Sequence, residues 1–233
     1  MEAVGILNAK TTAVIVSDMW NNHYCKTYAR IIDRLAPRIN VALKYFRRYQ
    51  VPILFMAEDV LPAHEHEPGA KLLATYIDLK EIWYAVDHPP APGHFTWWNQ
   101  CLCTDGTKCL DICNWDRTHE GIERHQFDLM GGWGQHTGFI RAHGIDTLLY
   151  CGITSNICVL SHRHFSICQS LGGGMNCILL KNLTESYVPY KKNANQLVIE
   201  YYEEHICPTA RWESIEFSGM GIWERYNPDW KEE

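Results

Sequence analysis

The chain has no basic stripe. Its 21 Lys and Arg are outnumbered by 27 Asp and Glu, for a net charge of −6, so nucleic acid is not an expected partner. No apolar run approaches the roughly 20 residues needed to cross a bilayer, so no membrane segment is expected. The N-terminus, Met1-Glu-Ala-Val-Gly-Ile-Leu-Asn8, lacks a basic region followed by an apolar core, and no secretory signal is expected. There is no internal repeat, no low-complexity tract and no composition shift that would mark a second domain. Ten cysteines are present, but they are scattered, mostly inside apolar segments, and do not form a disulfide framework. This favours a reducing compartment and a cytoplasmic location.

What is present is an ordinary globular balance over 233 residues, with 46% hydrophobic and 21% charged, enough for one α/β domain over residues 1–233. The β-branched run Thr12-Ala-Val-Ile-Val-Ser-Asp18 reads as a central parallel strand ending in a carboxylate. Residues 28–49 carry apolar side chains at helical spacing, with Pro37 expected to divide them into two helices. Residues 51–56 read as a second strand, 71–77 as a short helix, 121–124 as a short strand and 134–143 as a helix. Residues 147–151 form a further strand. The spacing of Ile157, Leu160, Phe165 and Cys168 predicts a helix that starts beside the N-cap residues Ser155 and Asn156 and ends near Gly172. A strand over 176–181, a helix over 193–204 and a last strand over 211–217 follow. Strands alternating with helices imply a mostly parallel, doubly wound (Rossmann-like) sheet covered on both faces.

Residues 87–117 differ in character. Prolines break the segment, Trp97, Trp98 and Trp115 enrich it in aromatics, and Cys101, Cys103, Cys109 and Cys113 crowd together. Such a loop reads as an insertion serving as a lid or binding loop.

In an open parallel sheet, ligands bind beyond the carboxyl ends of the strands. Asp18 ends one strand and Cys158 follows another, so a carboxylate and a thiol can share a pocket despite 140 intervening positions. A cysteine in the first turn of a helix meets unpaired N–H groups that favour a thiolate. The combination suggests acyl transfer, with Cys158 as nucleophile and Asp18 as proton carrier. Taken singly, Cys158 also fits a small buried hydrophobe and Asp18 a turn residue.

These pieces carry a resemblance. Val14-Ile-Val-Ser-Asp18-Met, together with Arg141-Ala-His-Gly-Ile-Asp-Thr-Leu-Leu-Tyr-Cys-Gly-Ile-Thr-Ser-Asn-Ile-Cys158-Val, resembles the isochorismatase-like cysteine hydrolases, which include nicotinamidases and N-carbamoyl amidohydrolases. The likeness spans roughly residues 10–220, with 87–117 inserted. It implies Asp18 as general acid/base and Cys158 as a nucleophile that forms an acyl-enzyme. It also implies a cis peptide between Ile153 and Thr154, which would aim the Thr154 and Cys158 N–H groups at an oxyanion. Members that cleave isochorismate lack the cysteine, so Cys158 points to hydrolysis of a C–N bond in a small amide or carbamoyl compound. The same thiol could instead open a nitrile or ester, or the chain could be a binding or scaffold protein that keeps the fold without turnover. The family's third residue, a lysine, is absent here. Arg124 aligns best with it and Arg117 is a second choice, and an arginine is a poor proton shuttle.

Nicotinamidases in the family carry a metal site after the second strand. Here Asp59, His64 and His66 are the only counterparts, and they also read as a solvated loop. Cys101, Cys103, Cys109 and Cys113 could close a zinc site, although Cys-x-Cys is tighter than the usual spacing. The chemistry itself needs no cofactor. Trp20, Trp97 and Trp98 would wall a flat substrate. A small amide is the expected partner, and a homo-oligomer is expected because oligomers are common in similar proteins.

Overall fold

The computed structural model describes residues 4–76, 83–93, 101–103, 109, 115–132, 134–188 and 193–223. Eight strands occur among them. They are β1 (Leu7–Asn8), β2 (Thr12–Ser17), β3 (Ile53–Met56), β4 (Leu129–Met130), β5 (Thr147–Ile153), β6 (Asn176–Glu185), β7 (Thr209–Ala210) and β8 (Phe217–Ser218). Six of them form one sheet in the order β4-β3-β2-β5-β6-β7, every pairing parallel. β1 and β8 pair separately, also in parallel.

The two central strands are buried along their whole length, as continuous apolar runs covered on both faces must be. Side chains of β2 alternate between two cores. Val14 and Val16 face α1 (Lys26–Arg48), whereas Ala13 and Ile15 face α3 (Gln135–Ala142), α4 (Ile167–Gly172) and α5 (Ala194–His205). The remaining helix, α2 (Pro68–Leu73), contributes Leu73 to the second core. The sheet is therefore doubly wound, as its alternating pattern implies. The strand order runs outward from a switch between β2 and β5, whose register pairs Ser17 with Gly152. Both Asp18 and the turn before Cys158 leave the sheet at that point.

Four segments differ from the sequence expectation. Pro37 does not split α1, which runs unbroken through 23 residues. The proline ring lies on the exposed side, while Tyr28, Ile32, Leu35, Ala36, Ile39, Ala42, Leu43 and Phe46 bury an uninterrupted stripe, and that burial outweighs a missing hydrogen bond. Residues 121–124 form a turn, a bend and irregular chain rather than a strand. Their backbone is claimed by side chains of α1, with Asn40 bonding both Gly121 O and Glu123 N and Arg47 donating to Glu123 O. The strand predicted over 211–217 is replaced by β7, a short 3-10 turn over Trp212–Ser214, and β8 in the small sheet. Finally, the helix expected across 157–172 is broken in two, and this break shapes the site. No helix among the described residues is long and apolar enough to cross a membrane.

Candidate active site

β5 ends in a turn whose Ile153–Thr154 peptide is cis, the isomer the resemblance implied. Behind the turn, Asn156 acts as a strap. Its amide N–H groups donate to Pro92 O and Tyr187 O, and its carbonyl accepts from Tyr187 N–H. Ser155 and Asn156 therefore do not cap a helix. Cys158 instead opens a five-residue π-turn, Cys158–His162, after which Arg163 adopts an extended backbone and α4 starts at Ile167. A wide π-turn places side chains differently from an α-helix, and such turns recur at functional sites.

The break turns Arg163 back over the sheet. Its Nε donates to Asp18 Oδ2 at 2.9 Å, its Nη1 reaches Asp59 Oδ1 at 3.1 Å, and its Nη2 bonds Asp59 Oδ2. The guanidinium also lies over the Trp20 ring, 5.7 Å from its centroid. A planar fork with several donors can serve two carboxylates at once, which an ammonium group does less well.

Asp18 is fully buried and sits at a positive φ of 44°. An Asp there is uncommon and costs about 1 kcal/mol or more unless its surroundings hold it. Its backbone N–H donates to Met56 O of β3, and its backbone carbonyl accepts from Trp20 N–H. Burial pushes its carboxyl up to about 7, against the opposing charge of Arg163. The Cys158 thiol faces the same carboxyl and is 3% exposed. Burial, and then the Asp18 charge, hold that thiol far above the ordinary range. The resting sulfur is therefore an un-ionised thiol beside a carboxyl poised near neutrality. This differs from the thiolate expected at a helix N-terminus, because the π-turn is a poor substitute for a helix and the buried sulfur lies beside an acid.

Above these groups lies a cavity of about 120 Å³. Aromatic rings dominate its wall. Trp20 stacks on Trp115 with centroids 4.1 Å apart and planes 4° from parallel, and Tyr24, Tyr187 and His23 complete the wall. His23 Nδ1 accepts from Cys25 N–H, and burial lowers its pKa to about 3. Its ring is neutral with the proton on Nε2. Thr154, Cys158, His162, Asp59 and Arg163 supply the polar part of the lining.

No protein-family model matches the chain, and no curated protein sequence matches it. Solved structures do. A cysteine hydrolase from Pseudomonas syringae pv. phaseolicola superposes with a TM-score of 0.55, covering 98% of this chain and 98% of that one at 13% identity. An isochorismatase family protein from Burkholderia thailandensis gives 0.54, covering 91% and 97% at 14% identity. An isochorismatase from Pseudomonas putida gives 0.52, covering 91% and 93% at 11% identity. The fold is that of the isochorismatase-like hydrolases. This likeness concerns the path of the chain, and the residues must speak for the chemistry.

Within the isochorismatase-like fold, the residues singled out from sequence separate into groups. Asp18, Cys158, Ile153, Thr154 and Trp20 come together at the switch point. Arg124 does not reach Asp18. It pairs with Glu67, bonds His64 Nδ1 at 2.6 Å and lies over the Phe55 ring. Arg117 pairs with the neighbouring Asp116 on the surface. The cation on Asp18 is Arg163, which the sequence reading missed. Its signal was the polar run Ser161-His-Arg-His164, which interrupts the apolar periodicity expected of a continuous helix. Tyr187, His23 and Tyr24 were missed as well.

Asp59, His64 and His66 do not converge on a metal site. Asp59 clamps Arg163, His64 is held by Glu67, Arg124 and Thr118, and His66 is exposed. Among the described residues, the group of metal-ligating side chains that does converge is Cys25, Cys101, Cys103 and Cys109. Trp97, Trp98 and Cys113 lie outside the described residues.

Proposed function

We propose that the chain is a cysteine-dependent hydrolase that cleaves the C–N bond of a small, flat amide or carbamoyl compound through an acyl-enzyme. The observation that carries this reading is the contact of the buried Asp18 carboxyl with the Cys158 thiol that lines the cavity, with Arg163 fixed to the carboxylate.

Asp18, ionised above about pH 7, takes the thiol proton as the Cys158 sulfur attacks the substrate carbonyl carbon. The oxyanion that forms is received by the Thr154 and Cys158 N–H groups. The Cys158 N–H now makes only a long contact of 3.4 Å with Thr154 Oγ1, so a developing anion can draw it away. When the intermediate collapses, the C–N bond breaks and Asp18 returns the proton to the departing nitrogen, releasing ammonia or an amine. Water then attacks the thioester with Asp18 as base, the C–S bond breaks, and the sulfur recovers its proton. A carboxyl with a pKa near the working pH suits both directions of transfer. Arg163 stays charged throughout, orienting Asp18 without carrying a proton. The stacked indoles of Trp20 and Trp115 favour a planar acyl portion, and the cavity volume limits it to a small molecule.

The arginine that stands on Asp18 in place of a lysine favours a second reading, a binding protein that keeps the pocket without turnover. Ammonia release across a panel of amides and ureido compounds, run beside matched esters and nitriles, separates the readings. At least one amide should release ammonia, and Cys158→Ala should lower the rate by about 10³-fold or more. A panel with no turnover, alongside saturable binding, would establish the second reading. Turnover confined to the esters or nitriles would reassign the bond.

A further inference from the structure

A second cluster of reactive groups lies next to the pocket wall, where the proposed reaction does not use it. Four sulfurs, from Cys25, Cys101, Cys103 and Cys109, come within 4.8 Å of one another. Three of them are in mutual contact, with Cys101–Cys103 at 3.2 Å, Cys101–Cys109 at 3.3 Å and Cys103–Cys109 at 3.1 Å. None is in a disulfide. The chain separates Cys25 from the other three by more than 70 residues, so tertiary structure brings them together, and spacing in the insertion does not account for it.

The described surroundings supply hydrogen-bond donors. Leu102 N–H donates to Cys25 Sγ at 3.3 Å, and the Thr27 hydroxyl lies 3.2 Å from Cys103 Sγ. The backbone N–H groups of Lys26 and Thr27, at the start of the 23-residue α1, reach Cys109 and Cys103. Cys25 is the residue that precedes that helix. Negative charge on these sulfurs is therefore met by hydrogen-bond donors and by the positive end of a long helix. Cys25 and Cys101 are fully buried and belong to the α1-facing core, while Cys103 and Cys109 pack against its edge.

We propose that Cys25, Cys101, Cys103 and Cys109 bind one structural zinc ion that fastens the insertion to the N-terminus of α1. A tetrahedral tetrathiolate with Zn–S bonds of about 2.3 Å sets its sulfurs about 3.8 Å apart. The three sulfurs in mutual contact reach this by opening roughly half an ångström or slightly more through side-chain rotation, and the Cys25 sulfur already stands within 4.8 Å of them. Four soft ligands around one centre select zinc over hard cations, and a polynuclear iron–sulfur cluster would spread its ligands more widely. On binding, the four S–H protons leave to solvent, and the site becomes a closed dianion with no open coordination position. Its role is positional. Trp20, His23 and Tyr24 of the pocket wall lie on the short segment between β2 and α1 that ends at Cys25, so the ion would anchor that wall at one end. The sequence expectation named Cys113 as the fourth sulfur; this proposal gives that position to Cys25 at the helix start.

The test is metal content in the whole chain, measured independently of turnover. Protein purified under reducing conditions with added zinc should retain one zinc per chain through dialysis against a mild chelator. Cobalt(II) reconstitution should give the sulfur-to-metal charge-transfer bands and intense visible bands of a tetrahedral tetrathiolate. Cys109→Ser and Cys25→Ser should each weaken zinc retention by about 10-fold or more, and Cys113→Ser should leave it unchanged. Should Cys25→Ser misfold, the cobalt spectrum of the unaltered chain still reports four sulfur ligands, and the Cys113→Ser result still decides the fourth. Absence of metal after reconstitution, a six-coordinate cobalt spectrum, bound iron in place of zinc, or loss of zinc in Cys113→Ser would each overturn the proposal.

Discussion

Asp18 is placed where burial and charge oppose each other. Burial raises its carboxyl from 3.8 to about 7, and Arg163 pulls it back. The acid limb of kcat/KM against pH should have its midpoint near 7, because only the ionised carboxylate can accept the thiol proton. Arg163→Ala should move that midpoint to higher pH and lower kcat/KM by roughly 10²-fold, and an unmoved limb would remove Arg163 from the site. The stability consequence has the opposite sense to that of an ordinary salt-bridged acid. The folded chain holds the Asp18 proton between about pH 4 and 7, whereas the unfolded chain has released it, so this residue's contribution is present below pH 4 and is lost as pH rises through 7. Melting curves should therefore show Asp18→Asn gaining on the wild type as pH climbs from 5 to 8. A constant difference across that range would show that the carboxyl is not buried as described. At this scale the sequence was partly legible. Asp18 and Cys158 each follow an apolar run, so their place at strand ends could be read from pattern alone. Arg163 could not, because its position depends on a π-turn that no periodicity announces.

Among the elements, β2 and β5 carry the site, and their close approach depends on one glycine. Gly152 has a φ of +99°, and a Cβ there would stand 2.1 Å from Ser17 O and 2.8 Å from Ser17 N. The neighbouring Ser17 hydroxyl donates to Ile153 O, and the Thr184 hydroxyl donates to Gly152 O, so the backbone cannot move aside. Gly152→Ala should cost about 3 kcal/mol or more, or prevent folding, measured by chemical denaturation. A loss under about 1 kcal/mol would mean that the two strands can part without harm. Helix α1 shows why element boundaries were less legible than element type. Its buried stripe was visible in the sequence, but the effect of Pro37 was overstated because the ring projects to solvent. The 121–124 segment has the residues of a short strand, yet Asn40 and Arg47 claim its backbone from the helix.

For the whole molecule, a parallel sheet whose strand order reverses between β2 and β5 opens a crevice at its carboxyl edge, and Asp18, Arg163 and Cys158 gather there. The alternation of strands and helices made this architecture legible, but the sequence alone did not bring Cys25 together with the cysteines of the insertion. Cys25 stands 76 positions before Cys101, and only the return of the insertion across the start of α1 joins them. The His64 and Asp59 loop, which looked like ligands, is consumed by arginines at both ends. The measurement that tests the central claim most directly is intact-protein mass spectrometry of rapidly quenched turnover, with an amide from the ammonia panel as substrate. The account predicts a transient mass gain equal to the acyl group, mapped by peptide digestion to Cys158 and absent in Cys158→Ala. Turnover that proceeds with no adduct, or an adduct mapped to another of the ten cysteines, would contradict it.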